Sequence, residues 1–164
     1  MTAPVKMQLR RVVTGHDGQG NAIVEIDEIA EHWREGRPGG MVCNVWTTET
    51  TPANNSLDTD GGKREGKFTM IHNGSVFRIL HFAPGLERRM HRTDSVDYLV
   101  VMSGEIDMEL DNGVEVHLKQ GDVMVQRGTI HNWINRGTEV CILAVILIHA
   151  DPVTAGGKVL HAAG

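Results

Sequence analysis

Three side chains of metal-binding type lie at suggestive spacings in the second half of the chain. His91 and Asp97 occupy one segment, and His131 follows some forty residues after His91. Positions two apart on an extended strand point to the same face, so His91, Thr93 and Asp97 point together if their segment stays in register. His131 belongs to another strand that can lie opposite. Two imidazoles and a carboxylate that converge form a facial triad for iron, manganese or zinc, so we predict a divalent-metal site of His91, Asp97 and His131.

Short apolar and β-branched runs surround these residues and are separated by turn signals. The runs cover residues 75–82, 97–102, 106–110, 114–118, 122–126, 129–135 and 139–149. Many short strands of this kind indicate an all-β sandwich or barrel. The tripeptide at 111–113 predicts a tight hairpin, because asparagine and glycine adopt positive φ at low cost. We therefore expect the candidate ligands to lie inside an antiparallel barrel.

The first half of the chain is less regular. Residues 9–14 and 22–25 predict a hairpin, and 41–47 predict a strand. Apolar residues recur at helical spacing over 26–33, which predicts a short helix. The polar segment 50–67, with its glycines and a proline, predicts a long surface loop. The sequence thus divides into N-terminal strands and a loop packing on the barrel (1–66), the barrel itself (67–150) and a C-terminal tail (151–164).

Composition and charge exclude several classes of function. The 164 residues, 40% hydrophobic and 23% charged, are typical of one globular domain. A formal charge of −5 argues against a nucleic-acid partner, because phosphate binding needs clustered positive charge. The longest apolar run, 140–148, is too short to span a membrane, and the N-terminus lacks the pattern of a signal peptide. Since Cys43 and Cys141 lie in strand-like runs typical of buried, reduced thiols, we expect a cytoplasmic protein.

The two blocks that contain the histidines resemble the two motifs of the cupin family. The first motif, G-x5-H-x-H-x3-E-x6-G, matches in spacing from Gly85 to Gly104. The second, G-x5-P-x-G-x2-H-x3-N, resembles the segment from Gly121 to Asn135. The resemblance implies an antiparallel double-stranded β-helix, the jelly-roll or cupin barrel, here with an irregular N-terminal extension. Family members often dimerise, and they commonly bind one metal ion through three histidines and a glutamate.

Position by position, the resemblance assigns a role to each candidate ligand. His91 matches the first histidine, Asp97 the glutamate and His131 the histidine of the second motif. Thr93 stands where the family has its second histidine, and a hydroxyl is a far weaker ligand than an imidazole. Arg127 occupies the proline position of the second motif, and the segment that follows is one residue shorter. His81, just before a turn, is the reserve for a fourth ligand.

Residues next to the motif positions predict the walls of a substrate pocket. These residues are Met90, Thr93, Tyr98, Trp133, Phe77 and Arg92. They predict an apolar, partly aromatic pocket for a small organic molecule. Alternatively, these side chains only fill the interior of the barrel, as small barrels require. The arginines at 88, 89, 92 and 127 are suited to binding a carboxylate. Alternatively, these arginines are solvated or paired with nearby acidic residues.

Two interpretations of the function stay open. The first is a metal-dependent enzyme, either a dioxygenase or a decarboxylase or isomerase, acting on a small aromatic or carboxylated molecule. The second is a non-catalytic ligand-binding protein, in which Thr93 marks the loss of the metal. Because His91, Asp97 and His131 are present at the other three ligand positions, the enzyme interpretation is favoured. We also expect a homodimer, since the run 140–148 is apolar on both faces and a partner subunit would cover one of them.

Overall fold

Antiparallel β-strands dominate the computed structural model, which describes residues 7–164. The strands of this part of the chain are β1 (Arg10–His16), β2 (Ala22–Ile29), β3 (Arg34–Glu35), β4 (Gly40–Thr48), β5 (Ser75–Phe82), β6 (Ser95–Ser103), β7 (Glu105–Glu109), β8 (Glu115–Lys119), β9 (Val123–Arg127), β10 (Asn132–Ile134), β11 (Cys141–His149), β12 (Val153–Ala155) and β13 (Lys158–Leu160). Two 3₁₀ turns lie at Gly61–Lys63 and Asp111–Gly113. Within residues 7–164 there is no helix long and apolar enough to cross a membrane.

Two antiparallel sheets form the barrel. The larger sheet has the order β3-β4-β5-β11-β6-β9, and the smaller has the order β10-β7-β8. Their inner faces share one core, in which Val101 and Leu143 of the larger sheet meet Ile106 and Trp133 of the smaller one. This is the jelly-roll architecture, so the predicted all-β double-stranded β-helix is confirmed.

Strand β11 lies in the middle of the larger sheet, between β5 and β6. Its alternation places Leu143, Val145 and Leu147 in the core. Its opposite face contributes Ile142 and Ala144 to a second apolar cluster on the outside of the sheet. We call this group the outer-face cluster; its buried members are Leu9, Ala30, Cys43 and Ile79. The N-terminal segment therefore covers part of the outer face of the sheet.

The N-terminal segment differs from the sequence prediction in one element. The short helix predicted over 26–33 is wrong, because residues up to Ile29 continue strand β2, which pairs with β1. Cross-strand ion pairs stabilise this pairing: Arg10 bonds Asp27 at 2.8 Å, and Arg11 bonds Glu28 at 2.6 Å. Tertiary pairing of this kind overrides a weak local helical pattern.

Arg11 also connects the hairpin to the loop that precedes the barrel. Its side chain is fully buried, and its guanidinium donates to both carboxylate oxygens of Asp60 at 2.5 Å. Asp60 in turn accepts a hydrogen bond from the backbone N–H of Gly62 at 2.9 Å. A side chain at Gly62 would collide with the guanidinium, which explains the glycine there. The hairpin is thus attached to the barrel through a buried charge network.

Strand β4 and the C-terminal tail both contribute to the larger assembly of strands. β4 comes from the segment 1–66, yet it pairs with β5 along most of its length inside the larger sheet. The tail forms the β12–β13 hairpin and then pairs Ala163 with Arg92 through backbone hydrogen bonds of 2.8 and 3.0 Å. The segment 1–66 thus contributes a strand to the larger sheet, and the tail is attached to the residue next to His91.

Candidate active site

His91 and His131 meet at one isolated antiparallel bridge between two segments of the chain. Each backbone N–H donates to the carbonyl oxygen of the other residue at 2.9 Å. The centroids of the two imidazole rings lie 4.2 Å apart. The structure therefore brings together two of the three side chains that the sequence selected.

Backbone carbonyls determine the orientation of both imidazole rings. Nδ1 of His91 lies 3.0 Å from the carbonyl oxygen of Arg89, and Nδ1 of His131 lies 3.0 Å from that of Thr129. A carbonyl oxygen only accepts, so Nδ1 carries the hydrogen and the lone pair of the neutral ring is on Nε2. The same hydrogen-bonding pattern orients histidine ligands at metal centres. Both rings are thus arranged to present Nε2.

Burial keeps this pair of rings uncharged. It lowers the pKa of His91, and it lowers the pKa of His131 to about 3 with a further contribution from the neighbouring His91. The positive charges of Arg37 and Arg89 act in the same direction on both rings. At neutral pH the Nε2 lone pairs of both rings are therefore unprotonated and available to a ligand.

Asp97 lines the same cavity but does not join the two histidines. The Ser95 hydroxyl donates to Oδ1 of Asp97 at 2.6 Å, and the Thr93 hydroxyl lies 2.7 Å from that of Ser95. Burial raises the pKa of Asp97 to about 6. Across residues 7–164, no three His, Cys, Asp or Glu side chains are placed to bind one metal ion. The predicted triad is therefore not assembled: the short aspartate is bonded to Ser95, apart from the imidazole pair.

The imidazole pair by itself fits a divalent transition-metal ion as two nitrogen ligands. Imidazole suits zinc, copper, iron and nickel, and both rings here are neutral with the lone pair on Nε2. Two protein ligands leave several positions for water or for a ligand that chelates the ion. His91 and His131 are the residues that would hold a metal in this cavity.

The cavity beside the histidines has a volume of about 400 Å³. Apolar side chains form much of its wall, namely Val42, Phe68, Leu80, Phe82, Leu99, Trp133, Val145 and Leu147. Its cationic side chains are Arg34, Arg37, Lys67, Arg78 and Arg89. The carboxylates in the wall are Glu35 and Asp97. With more cations than carboxylates, the cavity favours an anionic molecule with an apolar body.

Two of the aromatic residues assigned to the pocket face the other way. The cavity wall includes Thr93 and Trp133 but not Tyr98 or Phe77. Side chains alternate along a strand, so the inward Asp97 places Tyr98 on the outer face, where it is 46% exposed. Phe77 likewise packs against the outer-face cluster. The prediction that Tyr98 and Phe77 line the pocket is therefore wrong. Their chain neighbours Asp97 and Arg78 take the inward positions instead.

Met90 and Arg92 flank His91 and do not belong to the cavity wall. The guanidinium of Arg92 donates to the carbonyl oxygen of His161 at 3.3 Å, and its backbone pairs with Ala163. The tail therefore binds Arg92, and the prediction that Met90 and Arg92 line the pocket is wrong.

The arginines of the cavity differ from those selected in the sequence. Of the group at 88, 89, 92 and 127, only Arg89 lines the cavity, while Arg88 bonds Glu109 at the surface at 2.8 Å. Arg34, Arg37 and Arg78 also line the cavity and were not predicted from the sequence. Arg78 had a detectable signal, because it is a charged residue in the middle of an apolar strand.

His81 does not serve as a fourth ligand. It lies on the outer face of β5, is 2% exposed, and its ring centroid is 4.5 Å from that of Trp33. Leu80 and Phe82 take the inward positions on either side of it. The same alternation that excludes Phe77 therefore excludes His81.

Comparison with known proteins agrees with this architecture. The family model described as a cupin domain matches residues 78–147. The Phomopsin biosynthesis cluster protein C' of Diaporthe leptostromiformis is 50% identical over 92% of this chain and 83% of its own length. The Cupin-domain-containing oxidoreductase fogC of Aspergillus ruber is 34% identical over 90% of this chain and 76% of its own length.

A solved structure shows the same fold. It is a conserved protein with a double-stranded beta-helix domain from Klebsiella pneumoniae, 24% identical, with a TM-score of 0.52. The match covers 76% of this chain and 89% of that chain. This likeness concerns the fold alone. The match to the cupin-domain model and to fogC leads to the conclusion that the chain belongs to the cupin family.

Proposed function

We propose that this cupin is an enzyme that acts on a small anionic organic molecule, with His91 and His131 at the reacting end of the cavity. The observation that carries the proposal is the pair of neutral imidazoles, each with Nδ1 bound to a carbonyl and Nε2 left for chemistry. The cationic wall beside them supports an anionic substrate. The names of two relatives, the oxidoreductases fogC and virC, agree with an enzyme.

The cofactor we propose is a divalent metal ion, iron, manganese or zinc, held by His91 and His131. When bound, such an ion supplies polarisation of a substrate oxygen or, if it is iron, activation of dioxygen. Asp97 is not counted among the ligands, since Ser95 binds it. A substrate carboxylate is well suited to complete the coordination, because oxygen ligands complement the two nitrogens.

Among the possible reactions, we favour oxidation by dioxygen over decarboxylation or isomerisation. The printed names of the relatives fogC and virC support this order, because both describe oxidoreductases. Dioxygen would serve as the oxidant, which the side chains themselves cannot supply. A decarboxylase or isomerase needs no oxidant, so oxygen consumption separates the two classes.

The side chains of the cavity provide binding and proton transfer. Arg37 lines the same cavity as both histidines, and its charge lowers their pKa values, so we propose that it binds an acidic group of the substrate at the histidine end. Trp133 packs edge-on to His131, with ring centroids 5.8 Å apart, and closes one side. Asp97, with a pKa of about 6, exists in both protonation states near neutral pH and is the acid–base group we propose.

Metal content tests this proposal. Untagged, natively purified protein is analysed by mass spectrometry beside a His91→Ala, His131→Ala double variant. His117→Ala is the matched control, because His117 is half-exposed and bonds Asp107 away from the cavity. We expect near-stoichiometric metal in the wild type and the control, and loss in the double variant. Absence of bound metal after incubation with each ion would contradict the proposal.

A second candidate function is non-catalytic binding of a small ligand. It is favoured by Thr93 at the position of the family's second histidine and by the lack of a three-ligand group within residues 7–164. Under this alternative the cavity binds its ligand without metal. A metal-free protein that co-purifies with a small molecule would support it.

The two free cysteines are relevant to the cellular compartment in which the protein is found. Cys43 and Cys141 are free and fully buried. Burial raises the pKa of Cys43 to about 11 and that of Cys141 to about 12, which keeps both thiols protonated and unreactive. We propose the cytoplasm, where unpaired thiols are stable.

A further inference from the structure

The cavity contains a pair of arginines on the side of Asp97, which we call the aspartate-side pair: Arg34 and Arg78. Arg78 is only 6% exposed, and its Nη2 donates to the backbone carbonyls of Phe68 and Thr69 at 3.2 and 3.1 Å. Its Nε is buried without a hydrogen-bond partner. Burial and the nearby charge of Arg34 lower the pKa of Arg78 to about 10, although Asp97 acts against them.

A second pair lies on the side of the histidines, which we call the histidine-side pair: Arg37 and Arg89. Arg37 donates to the side-chain oxygen of Asn132 at 3.2 Å and approaches the carbonyl of Trp133 at 3.5 Å. Arg89 donates to the carbonyl oxygen of Gly164 at 2.8 Å. Burial, with the charge of Arg89, lowers the pKa of Arg37 to about 10.

The four arginines differ in burial: Arg78 is buried, Arg34 and Arg37 are partly buried, and Arg89 is exposed. Among the ion pairs formed within residues 7–164, none includes a member of either pair. The hydrogen bonds of Arg34, Arg37 and Arg78 go to neutral acceptors, namely backbone carbonyls and the side-chain oxygen of Asn132. A buried guanidinium without a carboxylate costs free energy, and a like charge beside it adds to the cost. An acidic group bound to each pair would remove both costs.

The guanidinium has a specific geometric preference. Its planar fork of N–H donors matches the two oxygens of a carboxylate, which strengthens the hydrogen bonds and sets the orientation of the ligand. The two pairs lie in different parts of one cavity, next to the histidines and next to Asp97. The rest of the wall is largely apolar.

We propose that the ligand of this cavity is a dicarboxylate with a short apolar skeleton. One carboxylate binds the histidine-side pair and the other binds the aspartate-side pair. The inference rests on the proposed function only in that the same cavity receives the reacting molecule. It places one acidic group beside Nε2 of His91 and His131 and determines which end of the molecule reacts.

Binding to metal-free protein tests this assignment. The probes are the α,ω-dicarboxylates from malonate to azelate, each compared with its own monomethyl ester by calorimetry. Because charge-assisted hydrogen bonds add to affinity, we expect one chain length to bind at least roughly tenfold more tightly than its monoester. An alkyl phosphate of matched length is the additional arm, and tighter binding of the phosphate than of any dicarboxylate would overturn the assignment to carboxylates.

Variants assign the two ends of the ligand. Arg78→Gln and Arg37→Gln should each remove the advantage of the diacid, while Arg88→Gln, at an exposed arginine outside the cavity, should keep it. If Arg78→Gln does not fold, Arg78→Lys retains the charge without the fork and should reduce the advantage. Equal affinity of diacid and monoester at every chain length would overturn the dicarboxylate. That result would leave the metal test on His91 and His131 unaffected, so the two failures are distinguishable.

Discussion

The imidazole of His131 lies 4.2 Å from that of His91, centroid to centroid, across a bridge with two reciprocal backbone hydrogen bonds. A bridge of this kind sets the separation of the two rings through the backbone. Hydrogen bonds from Nδ1 to carbonyls then set their rotation. The imidazole pair is therefore preorganised by main-chain geometry, which explains why the two rings meet while the carboxylate of Asp97 does not join them.

Replacing Asp97 by asparagine should stabilise the protein at neutral pH. The folded-state pKa of about 6 lies above the usual aspartate value of 3.8, so the folded state binds the proton more tightly. The carboxylate is thus compatible with the fold at low pH and becomes destabilising as the pH rises through 6. We expect Asp97→Asn to raise the free energy of unfolding at pH 7.5 by on the order of 2 kcal/mol, measured by urea denaturation.

The pH dependence provides the control for Asp97→Asn. The gain should shrink steadily toward pH 4, where the wild-type carboxyl is protonated in the folded state. An equal difference at both pH values would mean that the effect comes from packing and not from the buried charge.

The buried histidine on the outer face of β5 should make the fold sensitive to acid. Burial lowers the pKa of His81 below 6.5, and neither ring nitrogen has a hydrogen-bond partner. As the pH falls below 6.5, the unfolded chain gains a proton that the folded state does not, so stability is lost. We expect His81→Leu to lose less stability than the wild type between pH 7 and pH 5, measured by denaturation at both pH values.

His16→Leu, at an exposed position of β1, is the matched variant for His81. It should keep the wild-type slope of stability against pH. If His81→Leu also keeps that slope, the acid sensitivity has another origin.

Loss of Asp60 should destabilise the N-terminal hairpin. Asp60→Asn leaves the fully buried guanidinium of Arg11 with Glu28 as its remaining carboxylate partner. Unpairing a buried charge in this way costs about 2 kcal/mol, which thermal unfolding would report as a lower Tm. Asp27→Asn, which breaks the exposed pair with Arg10 on the same hairpin, should have a smaller effect. Equal losses in the two variants would refute the importance of the buried network.

A homodimer remains our prediction, and the structure offers a surface for it. The outer faces of β6 and β9 expose a patch of apolar side chains: Tyr98, Val100, Met102, Val123 and Val125. The patch continues onto β11 through Ile146, and a second copy would remove it from water. We expect a dimer by sedimentation velocity at micromolar concentration. Val125→Lys should give monomer, while Val159→Lys, at an exposed apolar residue of the tail hairpin, should not; a monomeric wild type would contradict the prediction.

Strand positions were accessible from the sequence where pattern and turn chemistry agree. The run 75–82 coincides with β5, and the turn at Asp111–Gly113 has Asn112 and Gly113 at positive φ. The motif spacing correctly brought His91 and His131 together, because both motifs specify positions relative to strands of the barrel. Local chemistry and family spacing were sufficient for these features.

The cavity wall depended on information that no local pattern contains. Strand alternation fixes which residues share a face but not which face is inside, and this explains the wrong prediction for Phe77. Tyr98 directly follows Asp97, so an inward Asp97 already places Tyr98 on the outer face. Arg34 and Arg37 reach the cavity because β3 pairs with β4, and β4 in turn pairs with β5 across the long loop. The hydrogen bond that Ser95 donates to Asp97 was likewise not evident from the motif spacing.

Anomalous diffraction from crystals of the metal-loaded protein tests the central claim most directly. Data collected at the absorption edges of iron, manganese and zinc would locate the ion without reference to activity. We predict one peak at about 2.0–2.3 Å from Nε2 of both His91 and His131, with Asp97 still bonded to Ser95. An ion bound elsewhere, or two imidazoles that remain unliganded under saturating metal, would contradict the account.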